Sequence, residues 1–306
     1  MENSIDENFR SGFVAVLGRP NVGKSTLINA LLGQKVAAVS PKPQTTRARQ
    51  LAILSDEEAQ IVFMDTPGFH NAHHKLGRAM NAIVQDTLQD ADIILWLVDA
   101  SQAPDAEDLL IAEMLKTTRE LPSVVMGLNK VDMLKPDELD QKMCDFNELL
   151  PGSRQIAFSA RQKKGLDELV TLLKELLPHG NAFYPPEQIT DYYERQIAAD
   201  LIREATLMFL QQEVPHSIAI RVDEFTEREN GGAFIAATIF VEKESQKGIV
   251  IGKGGLMLKN IGRLARKSIE EMSERKIYLQ LRVKVSENWR NNAVFLRRMG
   301  YDDVED

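Results

Sequence analysis

The chain alternates short, nearly continuous apolar runs with longer stretches in which apolar residues recur every three or four positions. Residues 13–17 are such a run, suited to a buried strand, after which Leu27, Ile28, Leu31 and Leu32 fall on one face of a helix. Further strand-like runs lie at 50–54, 61–64, 93–98, 124–128 and 155–158. Helical spacing occupies 76–89, 105–118, 136–149 and 165–177. The polar turn Ser55-Asp56-Glu57-Glu58 suits an antiparallel hairpin between the second and third strands. Elsewhere strand and helix alternate, which predicts a doubly wound, mostly parallel six-stranded α/β sheet.

Near residue 180 the pattern changes. Pro178, Gly180, Pro185 and Pro186 cannot continue a helix, so the first domain is expected over 1–180, with a linker over 181–189. A second, α+β domain is expected over 190–306. It reads as a helix at 190–211, a hairpin of strands 218–225 and 233–241 around Asn230-Gly231-Gly232, a glycine turn, an amphipathic helix and a last strand at 277–285.

Composition adds constraints. At 306 residues and 43% hydrophobic content the chain can bury two cores. Cys144 is the only cysteine, which excludes an internal disulfide. No apolar run approaches the ~20 residues of a membrane span, and residues 1–10 are polar with no leader pattern, so a cytoplasmic protein is expected. Net charge is −8, yet 14 of the 37 Lys and Arg lie in 243–298 with only 5 of the 45 acids, a balance of +9 there against −17 elsewhere. The two ends of the chain are built for different partners.

The chemistry starts where the first strand ends. Gly18-Arg19-Pro20-Asn21-Val22-Gly23-Lys24-Ser25, with Thr26 following, is the phosphate-binding pattern whose backbone N–H groups and helix N-terminus converge on an anion. Lys24 would reach the outer phosphates and the Ser25 hydroxyl would hold Mg²⁺. After the third strand stands Asp65-Thr66-Pro67-Gly68, with Asp65 toward Mg²⁺ and the Gly68 N–H toward the γ-phosphate. Pro43-Gln44-Thr45-Thr46-Arg47 offers Thr46, or else Thr45, as a further Mg²⁺ ligand. Lys24, Thr46 and Gly68 form the candidate catalytic set.

Asn129-Lys130-Val131-Asp132 follows the fifth strand, at the sheet edge where open α/β folds bind ligands. A carboxylate there accepts the N1–H and 2-amino donors that guanine has and adenine lacks, so Asp132 selects guanine over adenine. Asn129 would hold N7, Lys130 would lie along the base, and the Ala160 N–H beside Ser159 would meet O6.

These motifs, in this order, resemble translation-factor-related GTPases. One departure stands out: Phe69 follows Gly68 where Ras-like proteins carry a water-orienting glutamine. In the hydrophobic-substituted GTPases that the chain resembles, an asparagine matching Asn21 helps to hold K⁺ beside the phosphates. Downstream, Ile251-Gly252-Lys253-Gly254-Gly255 carries the G-x-x-G turn with which a KH module clamps single-stranded nucleic acid, and its helix adds Lys259 and Arg263. The order helix, strand, strand, helix, helix, strand matches the type II KH arrangement.

The whole resembles the Era family. That resemblance implies binding and slow hydrolysis of GTP to GDP with Mg²⁺, and recognition of the 3′ end of small-subunit ribosomal RNA in small ribosomal subunit assembly, with nucleotide state controlling RNA binding. It also implies a possible peripheral association with the membrane surface, and no role for DNA. Trp289, Arg290 and Arg297 would add RNA contacts, Trp289 by stacking. Two other readings stay open: a GTPase acting on another RNA or on the large subunit, and an RNA-binding assembly protein with GTP as a structural ligand.

Overall fold

The computed structural model describes residues 8–301 apart from 41, 43, 44, 192, 193, 212, 229 and 230, so Pro43, Gln44 and Asn230 lie outside the described residues. The chain forms two compact units. The first takes in Met1–Gln34, Arg47–Asn71 and Met80–Asp191; the second takes in Lys35–Thr46, Ala72–Ala79 and Tyr192–Asp306.

The first unit is built on six strands: β1 (Arg10–Leu17), β2 (Gln50–Ser55), β3 (Ala59–Asp65), β4 (Ile93–Asp99), β5 (Ser123–Asn129) and β6 (Arg154–Ala157). Their spatial order is β2-β3-β1-β4-β5-β6, parallel throughout except for the β2–β3 hairpin. All seven residues of β3 and of β4 are buried, because helices cover both faces of the sheet, which is why these strands read as continuous apolar runs. The helices are α1 (Lys24–Leu32), α2 (Lys75–Gln89), α3 (Ala106–Thr117), α4 (Leu139–Asn147) and α5 (Leu166–Leu176). With β1 between β3 and β4, the strand order reverses there and a ligand crevice opens at the carboxyl ends of the strands.

Residues 181–189 are tied to this unit. The Gln60 side chain accepts from the N–H groups of Phe183 and Tyr184 and donates to the Tyr184 carbonyl, and Ile53 donates to Ile189 at the edge of β2. A buried glutamine and an edge strand both need such partners, so proline-rich composition here marks a strap and not a free linker.

The second unit holds α6 (Glu194–Phe209), β7 (Ala219–Glu227), β8 (Ala233–Val241), α7 (Glu244–Ile251), α8 (Leu256–Ser273), β9 (Ile277–Val285) and α9 (Ala293–Arg298). Strand β8 is central, antiparallel to β7 and parallel to β9, and α7 and α8 make the crossover. Its core joins Leu201, Ile202 and Ala205 of α6 to Ile235, Ala237 and Ile239 of β8 and to Ile261, Ala265 and Ile269 of α8. Residues 35–46 pack in this unit, although sequence order assigns them to the first domain. Glu204 of α6, only 8% exposed, ties this segment to the unit: its carboxylate lies 2.7 Å from Lys35 Nζ and accepts the Val39 N–H at 3.2 Å. The Lys75 N–H donates to Asn291 in the same unit.

Candidate functional sites

In the first unit the loop 18–25 links β1 to α1 with backbone that glycine alone tolerates. A Cβ on Gly18 would lie 2.5 Å from the Leu97 carbonyl, and one on Gly23 2.3 Å from Asn129 Nδ2. Asn21, exposed at the tip, holds a left-handed φ of 65°. Lys24 is buried, and its Nζ donates to the carbonyls of Gly18 and Arg19 at 2.9 and 3.0 Å. Burial pushes its ammonium down to about 8, against the pull of Asp65 and Glu107.

The structure brings the other expected motifs to the same edge. Ser25 Oγ lies 3.0 Å from Asp65 Oδ2, a hydroxyl and a carboxylate set together as hard oxygen donors suited to Mg²⁺. Thr66 donates to the Val16 carbonyl, and Pro67 leads into Gly68, where a Cβ would meet the Pro20 nitrogen at 2.8 Å. Phe69 packs on the apolar core and its N–H donates to Gly18, so no polar side chain stands at that position. Thr46 belongs to the segment grouped with the second unit, and Thr45 Oγ1 donates to the Lys42 carbonyl.

Asn129 is a strut between the loops: its Nδ2 donates to Val22 at 2.8 Å and its Oδ1 accepts the Ala160 N–H at 3.0 Å. The Ala160 N–H, expected to meet O6, is thus engaged by the Asn129 side chain. Ser159 Oγ holds Asp132 at 2.5 Å, which aims the carboxylate expected to read guanine. Lys130 Nζ pairs with the buried Asp99 at 2.6 Å, a partner that sequence motifs did not reveal. The guanidinium of Arg19, a residue of the expected nucleotide loop, is engaged by Gln102, Asp105 and Asp108.

In the second unit Gly252, Gly254 and Gly255 all adopt positive φ. Gly252 is required for packing, since a Cβ would meet that of Met257 at 2.6 Å, whereas Gly254 and Gly255 face open space. Lys253 is exposed beside Ile251. The turn opens on a groove of about 460 Å³ lined by Gly255, Lys259, Arg263 and Arg266 above an apolar floor of Leu258, Leu279 and Leu281. Arg266 and the floor were missed in the sequence because their convergence depends on α8 lying over β9.

The tail behaves differently from expectation. Trp289 is fully buried, its Nε1 donating to Ser217, and its ring packs at 5.6 Å from Phe295, so it is a core residue and not a stacking platform. Arg290 is paired with Glu242, while Arg297 is exposed. Among the described residues no helix is long and apolar enough to cross a membrane.

The glycine loop joining β1 to α1, the Asn129–Asp132 motif at the same sheet edge and a second unit with an open G-x-x-G turn over a basic groove define a P-loop GTPase domain followed by a KH domain. Two family models agree, one described as 50S ribosome-binding GTPase over residues 13–130 and one as KH domain over residues 213–290. GTPase Era of Heliobacterium modesticaldum is 43% identical over 297 residues, 97% of this chain and 99% of that protein, and the chain belongs to the Era family of GTPases. A crystal structure of Era in complex with MgGDPNP and nucleotides 1506–1542 of 16S ribosomal RNA superposes with a TM-score of 0.91 at 37% identity, covering 96% of this chain and 99% of that one. A variant of Aquifex aeolicus Era bound to GDP·AlF4⁻ gives the same score, identity and coverage.

Proposed function

We propose that this protein binds and slowly hydrolyses GTP, grips the 3′ end of small-subunit ribosomal RNA in the groove beside Gly254, and acts in small ribosomal subunit assembly with nucleotide state controlling the grip. The observation that carries the reading is the open turn at Gly254 and Gly255, uncovered backbone at the mouth of a basic groove, in the same chain as a site that reads guanine. Backbone and helix end clamp phosphates there while bases lie on the apolar floor. Lys253, Lys259, Arg263 and Arg297 supply positive charge along the strand.

Mg²⁺ would be held by Ser25 and Asp65 and would neutralise phosphate charge. Lys24 binds the outer phosphates and the Gly68 N–H meets the γ-phosphate. With Phe69 in place of a glutamine, turnover is slow, and Asn21 is the residue that would help to hold a K⁺ whose charge would stand in for an arginine finger. The protein works in the cytoplasm; contact with the membrane surface rests on basic charge alone.

The test is titration of a labelled RNA ending in the small-subunit 3′ sequence at fixed salt, with a GTP analogue, GDP or no nucleotide, for wild type and Gly254→Asp. A Cβ at Gly254 meets nothing within 4 Å, and aspartate is among the few side chains that tolerate its left-handed φ of 60°, so the substitution adds charge without a clash and at modest backbone strain, which melting curves of the variant read. The expected result is analogue-dependent binding that weakens at least about tenfold in the variant, as loss of a phosphate clamp implies. Equal affinity in both nucleotide states, or preference for large-subunit RNA, would overturn the assignment.

A further inference from the structure

We propose that Arg19 is a positioning residue for GTP hydrolysis: the acidic N-terminus of α3 grips its guanidinium, and through the Arg19 carbonyl that grip aims the Lys24 ammonium. The inference rests on the GTPase activity above and concerns how the chain's own loop is held.

Arg19 is 8% exposed, with Nε 3.1 Å from Asp105 Oδ2 and 3.2 Å from Asp108 Oδ2, and Nη2 3.2 Å from Gln102 Oε1. Asp108 is wholly buried, and a carboxylate so placed needs a cation beside it. The acids are themselves fixed by the helix. Asp105 caps α3 by accepting from the N–H groups of Glu107 and Asp108, while Asp108 accepts the Asp105 N–H, a reciprocal capping box. The grip is therefore anchored to secondary structure.

On the loop side, an ammonium has three N–H donors. Two go to the Gly18 and Arg19 carbonyls, so those oxygens fix the direction of the third, which is the one left for the outer phosphates. The Gly18 carbonyl is also held by the Phe69 N–H at 3.3 Å. The Arg19 carbonyl is the oxygen whose place depends on its own side chain. With two carboxylates already around it, the guanidinium is spent on holding the loop and is not the charge donor that Phe69 leaves wanting. Small displacements of a group that stabilises developing charge are costly to the chemical step.

The experiment is steady-state hydrolysis of Mg·GTP, with melting curves recorded in parallel, for wild type, Arg19→Lys, Arg19→Gln, Asp108→Asn and the double variant Arg19→Gln/Asp108→Asn. Arg19→Gln is expected to lower kcat about tenfold with KM for GTP within about threefold, since the loss falls on the transition state. The double variant is expected to be no slower than the slower single, because both changes cut one linkage. Arg19→Lys should fall between, since lysine keeps the charge but lacks the rigid planar fork that sets Nε on the carboxylates and Nη2 on Gln102 at once. Unchanged kcat in Arg19→Gln, a raised KM with kcat intact, or losses that multiply in the double variant would overturn the proposal. Arg19→Lys keeps the buried charge and so decides the matter if Arg19→Gln fails to fold: wild-type kcat in that variant also overturns it. Wild type without turnover would instead remove the GTPase reading itself.

Discussion

Trp289 sits where a sequence reader places an RNA-stacking ring and the fold places a core residue. Its indole is 0% exposed and its N–H is satisfied by Ser217, so Trp289→Ala is expected to cost about 3–5 kcal/mol of stability through the cavity it leaves. Chemical denaturation reads that loss, and RNA affinity measured where the variant remains folded should be unchanged. Asp108 makes a pH-dependent case. Burial raises its carboxyl to about 6, above the ordinary value near 3.9 of an unfolded chain. The folded state then holds the proton more tightly, and the stability this group lends is complete below about pH 4 and is lost as pH rises through about 6. Melting curves of wild type and Asp108→Asn across that window should show their difference moving in favour of the variant as pH rises. Single residues were legible in the sequence where a motif fixes backbone shape, as at Gly18, Gly68 and Gly254. Trp289 was not, since an aromatic beside arginines looks the same whether its ring meets a base or Phe295.

Among the elements, strands β1, β3, β4 and β5 announce themselves because burial on both faces leaves no polar position in most of their length. The stretch from the last residue of β4 to the first turn of α3 does not, although its acids reach both Arg19 and Lys130. Its acids Asp99, Asp105 and Asp108 look in sequence like a strand end and an ordinary helix cap, and only folding brings Asp99 to Lys130 and the other two to Arg19. Asp99 is buried, so Asp99→Asn would release the Lys130 ammonium that its carboxylate now holds, and on the proposed reading Lys130 would no longer be kept alongside the base. Affinity for GTP and GDP should fall alike, by about tenfold for the loss of one buried charged hydrogen bond, while kcat holds; equilibrium titration with labelled GDP measures it. The strap over 181–189 was likewise hidden, because prolines report what a segment cannot form and not what it lies against.

At the scale of the molecule, residues 35–46 and 72–79 belong to the compact unit that carries the KH groove. Glu204→Gln removes the carboxylate that holds Lys35 and Val39, and amide exchange in 35–46 is expected to quicken while that of β8 does not change. Hydrogen exchange followed by mass spectrometry resolves the two segments. The pairing of Lys35 with Glu204 spans 169 positions of chain. During synthesis the residues around Lys35 therefore emerge and wait for their carboxylate for roughly ten seconds or more at the ordinary pace of about 5–20 residues per second. Throughout that interval the nascent chain already carries its complete phosphate loop, but the carboxylate that Lys35 and the Val39 N–H will meet does not yet exist.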